Sequence, residues 1–200
     1  MGLTLANLVT IGRMTLIPAF ILSVVSNRHG WALSIFILAG LTDALDGLIA
    51  RWWNQRTSLG AFLDPMADKL LLTAAFVVLS LPDQTRLFPE LHLWNRIPFW
   101  LVILAISRDV FIVLIALLLH LTAGLVRFPP TTLGKWTTLI QTVTISLVLL
   151  FNYLQMEAPI LIPAFCYLAV AITLASGFHY IYHATHRAAR PAGSSAQRNS

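Results

Sequence analysis

Apolar residues fill this chain in six long stretches, each separated from the next by a short run of polar, Gly or Pro positions. They cover residues 10–25, 31–52, 60–81, 98–121, 136–153 and 159–182, and a short amphipathic piece, residues 1–9, precedes the first. A helix needs roughly 20 mainly apolar residues to cross a bilayer. The pattern therefore predicts an all-α integral membrane protein with six transmembrane helices and a short N-terminal amphipathic segment. Residues 1–190 form one membrane domain, and the Ser-, Gly- and Pro-rich residues 191–200 form a disordered tail.

Composition sharpens this picture. Of the 200 residues 58% are hydrophobic and 10% charged, where a soluble domain carries about 25% charged residues. No separate soluble domain fits. The net charge of +5 has no basic surface domain to hold it, so it suits anionic lipid headgroups rather than nucleic acid. The single cysteine, Cys166, excludes an internal disulfide and reads as a small packing hydrophobe. Arg51, Arg56, Arg127, Lys135, Arg187, Arg190 and Arg198 flank alternate connections and the C-terminus; Arg28, Arg86 and Arg96 flank the others. Under the positive-inside rule both termini face the cytoplasm. The absence of a transit-type segment favours a bacterial inner membrane over a mitochondrial one.

Four of the eight acidic residues, Asp43, Asp46, Asp64 and Asp68, fall within twenty-six positions of the second and third stretches. A carboxylate at the middle of a membrane helix costs roughly 2.5–3.5 kcal/mol on insertion scales. Four together need strong positive charge nearby. Asp43 and Asp46 are three apart, Asp64 and Asp68 four apart, so each pair shares a helix face. The link at residues 53–59 is short, which predicts spans two and three as an antiparallel neighbouring pair with both acidic faces at one membrane end. Several hard oxygen ligands suit Mg2+, Mn2+ or Ca2+. Gly47 and Ala50 leave room for close approach, and Arg51 can complement a phosphate. Ion pairing with Arg51, Arg56 and Lys69 accounts for one or two acids but poorly for four. An ion pathway, as in a coupled transporter, would space its acids along the pore instead of clustering them.

The run Asp43-x2-Asp46-Gly47-x2-Ala50-Arg51-x8-Gly60-x3-Asp64-x3-Asp68 resembles the signature of the CDP-alcohol phosphotransferase family at every specified position. The resemblance implies a six-helix fold over nearly the whole chain. It implies transfer of a phosphatidyl group from CDP-diacylglycerol to an alcohol with release of CMP. Asp43, Asp46 and Asp64 would bind two divalent ions, Mg2+ or Mn2+, with Asp68 beside them as general base. Asp46, Gly47, Ala50, Arg51 and Gly60 would form the cytidine diphosphate pocket. A homodimer follows from the resemblance alone; Ala171, Ala175, Ser176 and Gly177 offer small residues for a helix contact.

Three further runs bear on the acceptor. Asn7, Thr10 and Arg13 open the chain as in phosphatidylglycerophosphate synthases and CMP-forming cardiolipin synthases. Read without that resemblance, Asn7 caps a helix and Arg13 snorkels to headgroups. Ile106-Ser107-Arg108-Asp109-Val110 resembles the cardiolipin synthase form. Because helix neighbours do not face one another, Arg108 and Asp109 each need a partner elsewhere, either another span or a substrate phosphate. The phosphatidylglycerophosphate enzymes tend to carry a later arginine where this chain has Ala116, and a lysine where it has Thr137. Two cations for a small phosphorylated acceptor are thus missing. That favours phosphatidylglycerol as acceptor, with Arg108 and Lys135 meeting its phosphate; glycerol 3-phosphate is the runner-up. Lys135 also reads as an interface anchor, with Trp136 in the aromatic belt. His179, His183 and His186 fit headgroup contact better than metal binding.

Overall fold

The computed structural model describes the backbone over residues 5–53, 58–82, 88–123 and 132–188, and side chains over 12–42, 66–82, 88–115, 121 and 133–180. The described residues form six helices and no strand. They are α1 (Leu5–Val25), α2 (His29–Trp53), α3 (Ser58–Leu79), α4 (Phe99–Ala123), α5 (Thr132–Tyr153) and α6 (Leu161–Ala188). Each apolar stretch has become one helix. The expected boundary between residues 1–9 and the first stretch does not exist: Leu5 to Val25 is one continuous helix. No helix breaker separates Val9 from Thr10, and extending a formed helix is far easier than nucleating a second. The tail at 191–200 lies outside the described residues.

Two helical segments, Leu133–Tyr153 and Leu161–Tyr180, are long and apolar enough to cross a membrane among the described residues, and Gly12–Val25 and His29–Thr42 are shorter apolar runs. The six-span expectation is thus met in part at this level. α4 carries Arg108 and Asp109 within its length, and α2 and α3 extend beyond the described side chains.

The helices pack as a closed ring in the order α1, α3, α4, α6, α5, α2 and back to α1, with α3 also touching α5 across the middle. Among the described residues α1 packs extensively on both α2 and α3. The predicted pairing of the acidic ends of spans two and three falls at residues 43–65, whose side chains lie outside the described residues.

One end of the ring is closed by a polar cap built from three asparagines. Asn27 donates to the Glu90 carbonyl and accepts from the His92 N–H at 2.8 Å. Asn152 donates to the Asn95 carbonyl at 2.8 Å and accepts from the Asn95 N–H at 3.2 Å. Asn95 in turn bonds the Met156 carbonyl at 2.7 Å and the Ala158 N–H at 2.9 Å. These amides satisfy loop groups that would otherwise be buried unpaired. They tie the described connections 26–28, 88–98 and 154–160 to one another. Beneath the cap lies the apolar core: Phe20 and Val24 from α1, Phe36 from α2, Leu79 from α3, Leu101 from α4, and Ile145 and Leu149 from α5.

Farther from the cap the interior changes character. Its buried side chains become Arg13, Thr137, Gln141, Thr144, Thr173 and Ser176. At 1.5 Å rise per residue all of these stand about 13 Å or more from the capped end. The buried interior is thus apolar toward the capped end and gains polar side chains, beside small Ala39 and Ala67, toward the other.

Candidate active site

The aspartates belong to the polar half. Counted along each helix from the capped end, Asp43 lies at about 21 Å on α2 and Asp68 at about 16 Å on α3. Asp46 and Asp64 lie farther out, at about 25 and 22 Å. Because α2 and α3 are both continuous helices here, the three- and four-residue spacings become angular separations of about 60° and 40°. Each pair therefore shares a face. Along the helix axes both pairs fall at a similar distance, about 16–25 Å, from the capped end.

Of the residues named from the sequence, Asp43, Asp46, Gly47, Ala50, Arg51, Gly60 and Asp64 lie on α2 and α3 with their side chains outside the described residues. The same holds for Asn7 and Thr10 on α1 and for Ala116 on α4. Asp68 is half-buried. Four carboxylates in one slab are a hard-oxygen donor set, which fits divalent magnesium or manganese.

Arg13 does not snorkel. It is 2% exposed and is the largest fully buried side chain among the described residues. It lies about 18 Å from the capped end, level with Asp68 and Asp43, on the helix that packs against both of theirs. A guanidinium is kept out of water only where anionic or strongly polar groups compensate it. Arg13 is thus buried inside the bundle at the level of Asp68 on the adjoining α3.

Arg108 and Asp109 each have the partner on another helix that the sequence called for, Ser176 and Lys69, and unexpectedly they also pair with each other. Asp109 accepts from two cations, one on each oxygen. Lys69 Nζ meets Oδ2 at 2.8 Å and Arg108 Nη1 meets Oδ1 at 2.7 Å. The long arginine arm reaches its own neighbour despite the 100° turn between their Cα atoms. Arg108 Nη2 also donates to Ser176 Oγ on α6 at 2.5 Å. The result is a polar clasp across α3, α4 and α6, anchored at the residue next to Asp68. Two cations share one acid, so the clasp carries net positive charge into the slab that holds the carboxylates. The sequence pairs Lys69 with the clustered aspartates; its bond to Asp109 leaves no trace in local spacing, because the two are forty residues apart.

The remaining sites are simpler. Lys135 is exposed, in the first turns of α5. Thr137 is 1% exposed and its hydroxyl donates to the Leu133 carbonyl at 2.9 Å, so no cation projects from this buried position. Ser176 is buried against Arg108 and so is unavailable to a dimer contact, while Ala171 and Ala175 are exposed. His183 and His186 lie outside the described side chains, and the described residues contain no cluster of three metal-ligating side chains.

The family model described as CDP-alcohol phosphatidyltransferase matches residues 3–178. A human protein named cardiolipin synthase (CMP-forming) is 40% identical over 55% of this chain and 33% of its own length. A Drosophila melanogaster protein named probable cardiolipin synthase (CMP-forming) is 32% identical over 90% of the chain and 57% of its own length. A Haemophilus influenzae protein named CDP-diacylglycerol–glycerol-3-phosphate 3-phosphatidyltransferase is 33% identical over 86% of the chain and 88% of its own length. The chain spans about three fifths or less of the length of the cardiolipin synthase relatives it matches. With the signature residues placed on α2 and α3 and the family match covering nearly the whole chain, this protein belongs to the CDP-alcohol phosphatidyltransferase family.

Proposed function

We propose that this chain is a divalent-metal-dependent phosphatidyltransferase that moves a phosphatidyl group from CDP-diacylglycerol to phosphatidylglycerol, yielding cardiolipin and CMP. The observation that carries the reading is the acidic slab. What supports it is the signature's position on α2 and α3, at helix positions about 16–25 Å from the capped end, a level at which Arg13 of the adjoining α1 is buried.

In the reaction the acceptor hydroxyl oxygen attacks the phosphatidyl phosphorus, the bond from that phosphorus to the CMP oxygen breaks, and CMP leaves. Asp68 takes the hydroxyl proton on its carboxylate as general base. Asp43, Asp46 and Asp64, with Asp68 adjacent, would hold two Mg2+ or Mn2+ ions. When bound, these supply Lewis-acid neutralisation of the diphosphate. Asp46, Gly47, Ala50, Arg51 and Gly60 would receive the cytidine diphosphate, small residues admitting it close to the α2 and α3 backbones. The clasp of Lys69, Asp109 and Arg108 fixes α3 against α4 beside the base, and Arg108 and Lys135 would meet the acceptor phosphate.

The lipid acceptor is supported by what stands at Thr137, a buried, self-satisfied hydroxyl, and by Ala116. Neither offers the cation a small phosphorylated acceptor would use. Glycerol 3-phosphate is the second reading, favoured by the Haemophilus relative, which the match covers over 88% of its length.

The setting is a bilayer crossed by all six helices. Large apolar side chains are exposed around the ring, among them Leu22, Phe111, Val113 and Phe178, each more than 60% exposed. Such a surface is costly in water and natural in lipid. The acidic slab would face the cytoplasm of a bacterial inner membrane, where CDP-linked substrates arise, and the protein would act as a homodimer.

The test is a product assay on purified protein with CDP-diacylglycerol and Mg2+ or Mn2+, offering phosphatidylglycerol and glycerol 3-phosphate separately. Cardiolipin and CMP from phosphatidylglycerol, abolished by chelation, support the proposal. Phosphatidylglycerophosphate from glycerol 3-phosphate alone replaces the acceptor. No CMP with either overturns the reading.

A further inference from the structure

A groove of about 270 Å3 runs along the seam between α4 and α6. Leu104, Phe111, Ile112 and Ile115 form its α4 wall, and Leu174 and Phe178 stand on α6. Phe111 and Phe178 are 61% and 71% exposed, so the groove faces out of the bundle. Along α4 the lining extends from Leu104 to Ile115, about 17 Å of helix. The hydrocarbon of one leaflet is about 15 Å deep, half of the bilayer core. The groove matches in length one acyl chain lying along the helices.

A glycine makes the room. Gly177 of α6 lines the groove, and a Cβ there would meet only Arg108 Cγ, at 4.0 Å, an ordinary contact. Packing therefore does not require glycine, and glycine is a poor helix former. What its bare backbone leaves is the open space, which a longer side chain would cross.

Arg108 supplies charge. It is the one charged side chain among the described residues that line the groove, and it is 12% exposed. With Lys69 it shares the single carboxylate of Asp109, so the clasp carries one uncompensated positive charge. Each Nη of an arginine bears two N–H donors. Asp109 takes one from Nη1 and Ser176 one from Nη2. A phosphodiester carries one negative charge and only acceptors, which complements what is left. Position then selects the lipid. The α4–α6 edge lies opposite the α1–α2 edge of the ring. In an in-line displacement the entering hydroxyl and the leaving CMP stand on opposite sides of the phosphorus. With the nucleotide on α2 and α3, the acceptor arrives from the side of α4 and α6.

We infer that the α4–α6 groove holds one acyl chain of the acceptor phosphatidylglycerol, with its phosphodiester at Arg108, and that Gly177 admits the lipid by keeping the groove open. The inference rests on the lipid-acceptor reading above and says where that lipid lies.

The experiment compares the full chain with Gly177→Ala and Gly177→Leu in mixed micelles containing CDP-diacylglycerol and Mn2+. Both substitutions favour the helix. In Gly177→Leu the KM for dioleoyl phosphatidylglycerol should rise about tenfold or more, with kcat and the KM for CDP-diacylglycerol little changed. Gly177→Ala should stay near the wild type. Binding is read without turnover, in chelator, by photolysing phosphatidylglycerol that carries a diazirine in one acyl chain and mapping the labelled peptides by mass spectrometry. Label should fall on residues 104–115 and 173–178, be displaced by unlabelled phosphatidylglycerol and not by phosphatidylcholine, and be lost in Gly177→Leu. Equal displacement by phosphatidylcholine would make the groove a seat for any bilayer lipid and overturns the inference. A raised KM for CDP-diacylglycerol overturns it too, by giving the groove to the donor, as does unchanged labelling in Gly177→Leu. Specific labelling of a wild type that makes no cardiolipin upholds the phosphatidylglycerol groove and overturns the reaction instead.

Discussion

Lys69 on α3 and Asp109 on α4 are joined by an ion pair of 2.8 Å, one residue from the aspartate assigned as general base. The pair is about a third exposed on each side, so the bond itself contributes modestly. Its consequence is larger than its strength. Asp109 also neutralises Arg108, whose side chain is 12% exposed. Removing the acid leaves a mostly buried guanidinium unpaired, whereas removing Lys69 leaves Asp109 with one cation. Asp109→Asn should therefore cost about 1–3 kcal/mol and Lys69→Met less than 1 kcal/mol. Thermal unfolding in detergent would read this ordering, and equal losses would mean that Arg108 relies on other partners.

The base assignment makes a sharper claim. Asp68→Asn preserves size and removes proton-accepting power. Turnover should fall by about 10²–10⁴ while CDP-diacylglycerol binding, followed by calorimetry with the metal present, changes little. Retained turnover would move the base to another group, and lost binding would make Asp68 a metal ligand first.

Arg13 can be tested apart from its motif. Arg13→Met fills the same buried space without charge, and replacing buried charge by an apolar side chain is often neutral for stability. If the guanidinium serves the acidic slab, kcat/KM should drop by at least about tenfold with little change in unfolding temperature. Arg13→Lys should recover part of the loss. A variant with normal kinetics would reduce Arg13 to packing.

The helices were legible because apolar runs of spanning length, punctuated by polar breaks, leave few alternatives. Their neighbours were not. Ring order depends on which faces match, and the sequence of the 53–59 link says only that two ends are close. The same limit explains the sites. Asp43, Asp46, Asp64 and Asp68 could be found because their spacing along two helices is itself the signal. The Lys69–Asp109–Arg108–Ser176 clasp joins three separate helices, so spacing carries no trace of it. Arg13 was noticed for its motif and misjudged in environment: an arginine eight residues into a membrane helix can snorkel or turn inward, and only packing between α2 and α3 decides.

His29 sets a pH dependence at the capped end. Burial lowers its pKa below the ordinary value of 6.5, reinforced by His92 and partly opposed by the bond to the His92 carbonyl. The other charged groups on the described segments at this end are Arg28, Glu90, Arg96 and Glu157. The unfolded chain takes up a proton near pH 6.5 and the folded chain does so only at lower pH. Stability is thus full above pH 6.5 and declines as pH falls from there toward the lowered folded value, by at most about 1.4 kcal/mol per pH unit. Unfolding temperatures between pH 7.5 and 5.5 should fall more for the wild type than for His29→Gln. Parallel curves would mean that His29 titrates alike in both states.

Acceptor choice can be tested by restoring a cation. Thr137 stands in the polar half of the bundle, one turn from Gln141, and bonds only to its own helix. A lysine there would be expensive without an anion, since its ammonium would be buried. The phosphate of glycerol 3-phosphate would supply that anion; the wild-type chain offers it no equivalent from this position. Thr137→Lys should raise kcat/KM for glycerol 3-phosphate by about tenfold or more and lower thermal stability when no phosphorylated acceptor is present. Turnover with phosphatidylglycerol should fall or stay level. If glycerol 3-phosphate remains unused while the variant folds and still makes cardiolipin, the missing cation is not what excludes the small acceptor. If the wild type already uses glycerol 3-phosphate freely, the buried threonine was never a barrier, and the acceptor assignment passes to the second reading.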